Sequence, residues 1–345
     1  MNVEEHCTLD NWGKELLQHL QDEFPVAKSP WAEIGEKLGI TEEEVLSRSQ
    51  RLFSEGVIRK LRTILDAQKL GACSSTLMAM RVPAEKMEEV VNIVNEYMSV
   101  THNYQREHDY NLWFTVTTCG GKDLRSTVEE IKERTGIPDS DTLDLPTTRV
   151  FKIDVRFKFA DFKDNSDSEG NDKGIPKVEM ERTKMNTDDE PDETDQTILR
   201  AAQEGIPVVK EPFEGIAKEA GISQDEVIER LKKLIKGGVI KRLGISINQR
   251  KVGIVANAVV AWKVPQGQVE NVGKKLSSYT DITHCYERVA MPGKWEHNLF
   301  TVIHGYTRES VEEMAERLSR VVGIGDFLVL FSNEQFKRTS VMHPY

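Results

Sequence analysis

Leu38-Gly39-Ile40-Thr41-Glu42-Glu43-Glu44 returns later in the chain as Ala220-Gly221-Ile222-Ser223-Gln224-Asp225-Glu226, and the organisation of the molecule unfolds outward from either copy. A glycine stops one helix, and Thr41 or Ser223 caps the next, with Glu44 or Glu226 three places on in the capping-box pattern. Upstream, residues 11–23 and 192–204 carry apolar side chains at helical spacing. Trp31, Ile34 and Leu38, like Phe213, Ile216 and Ala220, mark a second helix. The third helix runs to Gly56 or Gly238, and three helices with a glycine-marked turn describe a helix-turn-helix unit. Pro25 and Pro207, Gly56-Val57-Ile58 and Gly238-Val239-Ile240, and Val82-Pro83 and Val264-Pro265 keep the same offset of 182 residues. A constant offset over so long a stretch means duplication rather than a short repeat.

Beyond each third helix the pattern changes. Residues 57–65 and 239–247 read as strands. There follow strands at 75–82 and 256–264, helices at 84–97 and 266–279, and two further strands. Helices at 122–135 and 308–320 and last strands at 148–158 and 325–331 complete each half. The order β-α-β-β-α-β is ferredoxin-like, an antiparallel sheet with helices on one face. The fold class is therefore α+β. Each half has a helix-turn-helix domain (1–66, 191–248) followed by a ferredoxin-like domain (67–160, 249–345). The uncovered sheet faces predict that the halves pair as a pseudo-dimer, which leaves room for further homo-oligomerisation.

Of 345 residues 38% are apolar, enough for ordinary cores. No apolar run approaches a membrane span, and the acidic start, Met1-Asn2-Val3-Glu4-Glu5-His6, has no signal core, so a cytoplasmic location is expected. Net charge is −11, and residues 161–195 hold 13 acids against 5 bases. The stretch 161–190 accordingly reads as an acidic, flexible linker. Cys7, Cys73, Cys119 and Cys285 lack metal or disulfide spacing and read as free thiols.

A DNA-reading role would place the first turn of the third helix against phosphates and bases. That turn is Glu42-Glu43-Glu44 in one copy and Gln224-Asp225-Glu226 in the other, which a polyanion repels. No DNA partner is expected.

The chemistry concentrates elsewhere. Thr101-His102-Asn103-Tyr104-Gln105-Arg106 is echoed by Thr283-His284-Cys285-Tyr286-Glu287-Arg288. The second copy then carries five extra residues before Asn298-Leu299, the counterpart of Asn111-Leu112. Alternate strand residues share a face, so His102, Tyr104 and Arg106 project together, as do His284, Tyr286 and Arg288. Such trios suit a planar ligand bearing carboxylates. The guanidinium forks a carboxylate, the phenol forms a wall, and the imidazole donates protons or binds metal.

These residues, with His108-Asp109-Tyr110-Asn111-Leu112-Trp113-Phe114, Trp295-Glu296-His297-Asn298-Leu299-Phe300, Lys241-Arg242 and Arg250, resemble the siroheme decarboxylases, enzymes on the scaffold of the leucine-responsive/asparagine-operon (Lrp/AsnC) regulators. One half is similar to one subunit type and the other half to its partner, here fused. The resemblance implies loss of carbon dioxide from the C12 and C18 acetates of siroheme to give 12,18-didecarboxysiroheme, in alternative haem or haem d1 biosynthesis. It also implies a substrate that is itself the iron tetrapyrrole, with no further cofactor. His102, His284, Arg106 and Arg288 would be catalytic. Tyr104, Tyr286, His108, Tyr110, Trp295, His297, Lys241, Arg242 and Arg250 would bind substrate. The histidines could deliver a proton or ligate the substrate iron, and no other metal site is expected. His297 departs from the aromatic residue of the partner-type motif. The alternative is an Lrp/AsnC-like ligand-responsive transcription regulator, against which the acidic third-helix turns stand.

Overall fold

The computed structural model describes residues 9–65, 73–119, 123–157, 159 and 191–339. Most of the acidic stretch, and Cys7 with it, falls outside them. Two compact units emerge. One gathers the helix-turn-helix elements of both halves (1–70 and 157–252) and the other both ferredoxin-like domains (71–156 and 253–344). Among the described residues no helix is long and apolar enough to cross a membrane.

In the first unit α1 (Asn11–Asp22), α2 (Pro30–Leu38), α3 (Glu42–Ser54) and β1 (Ile58–Leu65) are matched by α6 (Glu193–Glu204), α7 (Glu214–Ala220), α8 (Gln224–Lys236) and β6 (Ile240–Ile247). Gly39 and Gly221 sit at φ 68° and 69°, the left-handed conformation a helix stop requires. Thr41 and Ser223 accept from the backbone N–H of Glu44 and Glu226 at 3.2 Å. The expected reciprocal arm of the capping box is absent, because the Glu44 and Glu226 carboxylates turn forward to Arg48 and Arg230 one turn on. The halves join through an antiparallel β1–β6 ladder. Indole Nε1 of Trp31 reinforces the join by donating to the Val209 carbonyl at 2.7 Å.

The second unit is a closed eight-stranded barrel. Its first half supplies β2 (Ser74–Met80), α4 (Met87–Glu96), β3 (Val100–Arg106), β4 (Leu112–Thr118), α5 (Leu124–Thr135) and β5 (Thr142–Ile153). Its second half supplies β7 (Ala256–Trp262), α9 (Val269–Ser277), β8 (Ile282–Arg288), β9 (Leu299–Gly305), α10 (Arg308–Val322) and β10 (Phe327–Arg338). The strand order is β10-β3-β4-β2-β5-β8-β9-β7, closing on β10. Closure comes from the last strand of each half. Residues 142–146 of β5 pair with β2 and 147–153 with β8; residues 327–331 of β10 pair with β7 and 332–338 with β3. Exchange of strand ends leaves no unpaired sheet edge.

The structure departs from the sequence pattern in two places. The sequence pattern predicts last strands at 148–158 and 325–331, whereas β5 runs Thr142–Ile153 and β10 runs Phe327–Arg338. Pro146 interrupts the sequence pattern, but it sits where β5 changes sheets and a missing N–H costs little. Cys73 and Cys119, expected as free thiols, form a disulfide. The β2–β4 register pairs Ser74 with Thr118 and so brings the next residues out, Cys73 and Cys119, face to face across 46 residues of sequence. Cys285 is a buried free thiol.

Alternation sorts the side chains into layers. Met78, Met80, Val100, Phe114 and Val116 pack under α4 and α5, and the second half repeats this with Ala258, Val260, Trp262, Leu299 and Ile303. The opposite faces meet inside the barrel, where Ala79, Trp113, Leu143 and Leu145 contact Ala261, Trp295, Phe300 and Leu330. The pseudo-dimer core is therefore shared by both halves.

Candidate active site

His102, Tyr104 and Arg106 project from β3 to the barrel interior, and His284, Tyr286 and Arg288 do so from β8. The intervening Asn103 and Cys285 turn outward to Asn95 of α4 and Gly273 of α9. β3 and β8 stand four strands apart in either direction around the ring, so the trios oppose each other. Both strands carry a register shift just before the histidine. In each, a threonine hydroxyl then lies against the imidazole Nδ1: Thr101 at 2.9 Å from His102 and Thr283 at 3.0 Å from His284. A bulge thus re-aims two side chains and fixes each ring from behind.

Both histidines are half-buried but closely surrounded. Burial pushes the His102 imidazole down to about 4, and the Arg338 and Arg106 cations push the same way. His284 falls to about 3 through burial, with His304, His102, Arg338 and Lys152 adding to the shift. At neutral pH both rings are uncharged in the free protein. A ligand rich in carboxylates reverses those terms by bringing negative charge beside the rings, and so favours imidazolium.

Arg106 and Arg288 sit deeper, 7% and 5% exposed. Nη1 of Arg106 donates to the Leu330 carbonyl at 2.8 Å and to Ser332 Oγ at 2.9 Å. Nη1 of Arg288 donates to the Leu145 carbonyl at 3.0 Å and to Thr147 Oγ1 at 2.9 Å. These acceptors flank the points where β10 and β5 cross between sheets, so each arginine clasps a strand exchange. Each also lies over its own tyrosine, Arg106 at 5.3 Å from the Tyr104 ring and Arg288 at 5.1 Å from Tyr286. Burial lowers both guanidiniums to about 10, which leaves them charged at neutral pH. The Nε of each is buried with no protein acceptor.

His108, Tyr110, Trp295 and His297 form a separate aromatic cluster. The five-residue insertion turns at Gly293 (φ 77°), and Lys294 Nζ anchors it on the first half through the carbonyls of Asp139 and Thr142. This delivers Trp295, 4% exposed, onto Trp113 (centroids 5.3 Å), His108 (5.6 Å) and Tyr110 (6.3 Å). Trp295 therefore fills the barrel core. His297 rests on Trp295 at 5.2 Å, with Nε2 3.3 Å from Asp326. Lys241, Arg242 and Arg250 belong to the helix-turn-helix unit, where the Arg242 guanidinium bonds the Gln21 carbonyl and Lys241 and Arg250 are exposed. The interior trios thus come together with one another, and these three residues lie in the other unit.

Two residues outside the repeated motif join the histidines. Arg338 pairs with His102 across β10 and β3, where the pseudo-equivalent partner of His284 is Ile153. His304 on β9 brings Nε2 to 3.1 Å from Thr283 Oγ1, and burial pushes its ring down to about 3. The β10–β3 register brings Arg338 to the motif and the β8–β9 register brings His304.

Fold and site define a class: a duplicated, regulator-like chain whose paired ligand-binding domains enclose opposed imidazoles and buried cations. Family models agree. Residues 69–152 and 251–337 match an AsnC-like ligand binding domain, and 13–59 and 195–241 match a siroheme decarboxylase NirDL-like helix-turn-helix domain. A siroheme decarboxylase of Hydrogenobacter thermophilus is 32% identical over 95% of this chain and 94% of its own length. The siroheme decarboxylase NirDL subunit of Paracoccus denitrificans is 31% identical over 90% of each. The crystal structure of the siroheme decarboxylase NirDL in complex with an iron-uroporphyrin III analogue superposes with a TM-score of 0.66 at 29% identity, covering 96% of this chain and 94% of that one. The chain belongs to the siroheme decarboxylase family.

Proposed function

We propose that this protein decarboxylates siroheme inside the barrel unit, converting the C12 and C18 acetates to methyl groups. The observation that carries this reading is the pair of opposed imidazoles of His102 and His284, on strands that also carry the buried guanidiniums of Arg106 and Arg288, with Arg338 across from His102. A tetrapyrrole polycarboxylate supplies negative charge that complements these cations. In the reaction the bond between the acetate methylene and its carboxylate breaks and carbon dioxide leaves. The electron pair stays on the methylene and delocalises into the adjoining pyrrole, and a proton then completes the methyl group. Transfer from a protein group positioned at the methylene contributes about 10²–10⁴-fold. Binding of substrate carboxylates raises the imidazole pKa values towards the operating range, so the acid forms where it is needed. Tyr104 and Tyr286, held by their arginines, offer flat walls to the macrocycle. The macrocycle is its own electron sink, and on this reading no separate cofactor takes part.

Anaerobic incubation with siroheme followed by mass spectrometry tests the proposal. Sequential loss of two carbon dioxide equivalents is expected. Unchanged siroheme with folded protein refutes it.

A further inference from the structure

The two halves are not equivalent around their histidines, and the differences converge on one side. His304 occupies the position of Thr117 in the first half, Asn257 that of Ser75, and Ser332 that of Thr147, as the matching ladders show. In the first half, Ser75 Oγ and Thr147 Oγ1 meet at 3.0 Å and stitch β2 to β5 where β5 leaves it. In the second half the same seam, between β7 and β10, is open. Asn257 and Ser332 line a cleft of about 410 Å³ there, with Arg308 and Asn333 at its rim. The Asn257 Oδ1 atom is buried and has no protein partner, and Asn257 is the direct cross-strand neighbour of His304.

We propose that this open seam supplies protons to His284 through His304 and Thr283, which makes His284 the proton-delivering histidine and leaves His102, beside Arg338, to hold a substrate carboxylate. The inference rests on the decarboxylation reading above. Thr283 Oγ1 lies 3.1 Å from His304 Nε2 and 3.0 Å from His284 Nδ1. A hydroxyl carries one proton and can accept another, so it relays without building up charge. When Nε2 of His284 gives its proton to the substrate methylene, Thr283 gives its own to Nδ1. It is replenished from Nε2 of His304, and a hydronium ion entering past Asn257, the cross-strand neighbour of His304 on the cleft wall, gives its proton to the buried His304 Nδ1 and leaves as water. Each transfer breaks one N–H or O–H bond and forms one. The charged or titratable groups around His284 are His304 from β9, His102 from β3 and Arg338 from β10, with Lys152 of β5 acting from the outer face where it bonds the Tyr279 carbonyl, and Arg338 also acts on His304. All are cations or become cations, so excess protons do not rest on the relay and pass one at a time as substrate carboxylates offset them. His304 acts through His284 and is a positioning and relay residue.

The test compares His304→Ala, His304→Thr and Thr283→Val with Thr117→Ala in the full chain. The His304 and Thr283 variants should lose about 10–100-fold in kcat with little change in KM, and Thr117→Ala should match the wild type. Added imidazole, small enough for the cleft, should restore turnover to His304→Ala, which a structural defect would not permit. Nitrogen-15 NMR of the substrate-free protein should show the His284 tautomer shift in His304→Ala, with the His102 signals unmoved in Thr117→Ala. Wild-type turnover in His304→Ala, failure of rescue by imidazole, or an unshifted His284 each overturns the relay. If the wild-type protein leaves siroheme intact, the decarboxylation reading fails, and the tautomer measurement still decides whether His304 governs His284.

Discussion

Lowering the pH from 7 to 5 should destabilise the barrel unit, and the interior histidines set the amount. His102 is held at about 4 in the folded protein, and His284 and His304 at about 3, against 6.5 for an unhindered imidazole. Between those limits the unfolded chain binds protons that the folded chain refuses, so stability rises with pH and is lost as pH falls below 6.5. At pH 5 each ring stands 1.5 units below that value, worth about 2 kcal/mol at 1.36 kcal/mol per unit, or about 6 kcal/mol for three. Partial exposure screens the effect, so about 3–6 kcal/mol is expected, a large share of the ~5–15 kcal/mol of a typical domain. His108 and His297, also lowered by burial, push the same way. The depressed carboxylates Glu107, Glu270 and Glu309 lose their contribution only below about 4.5, outside this window. Urea unfolding followed by tryptophan fluorescence reads the change, since Trp113, Trp262 and Trp295 are all buried in this unit. The H102Q/H284Q/H304Q variant should lose most of the pH dependence. Equal wild-type stability at both pH values, or an unchanged slope in that variant, refutes the account.

Other expectations follow from the same geometry. Trp295→Ala empties the centre of the barrel core and should cost about 3–5 kcal/mol, read as a fall in Tm and in the urea midpoint. Arg288→Met should cost about 1–3 kcal/mol, because the Leu145 carbonyl and Thr147 hydroxyl lose a buried donor at the β5 crossing. Hydrogen exchange should show that loss as faster opening of the β5–β8 ladder. Siroheme binding should be accompanied by net proton uptake near pH 7, measured by calorimetry in buffers of different ionisation enthalpy, and uptake should shrink in the double variant H102Q/H284Q. A proton-neutral binding reaction would contradict the charge reversal assigned to the histidines.

The duplication, the helix-turn-helix units, the ferredoxin-like order and the two His/Tyr/Arg trios were all legible in the residues, because each depends on short-range periodicity or on a repeat at constant offset. Local spacing also put each trio on one strand face. What only the tertiary structure decided is the relation between faces. Strand exchange through β5 and β10 opposes the trios inside one barrel, turns Arg106 and Arg288 into clasps at the crossings, and brings Cys73 to Cys119. The same closure carries Arg338 to His102, a contact between residues 236 positions apart that no local pattern encodes, and the β8–β9 register sets His304 beside Thr283. Alternation along a strand states which side a residue faces; the register between distant strands, fixed by burying both sheet faces at once, states what it meets there.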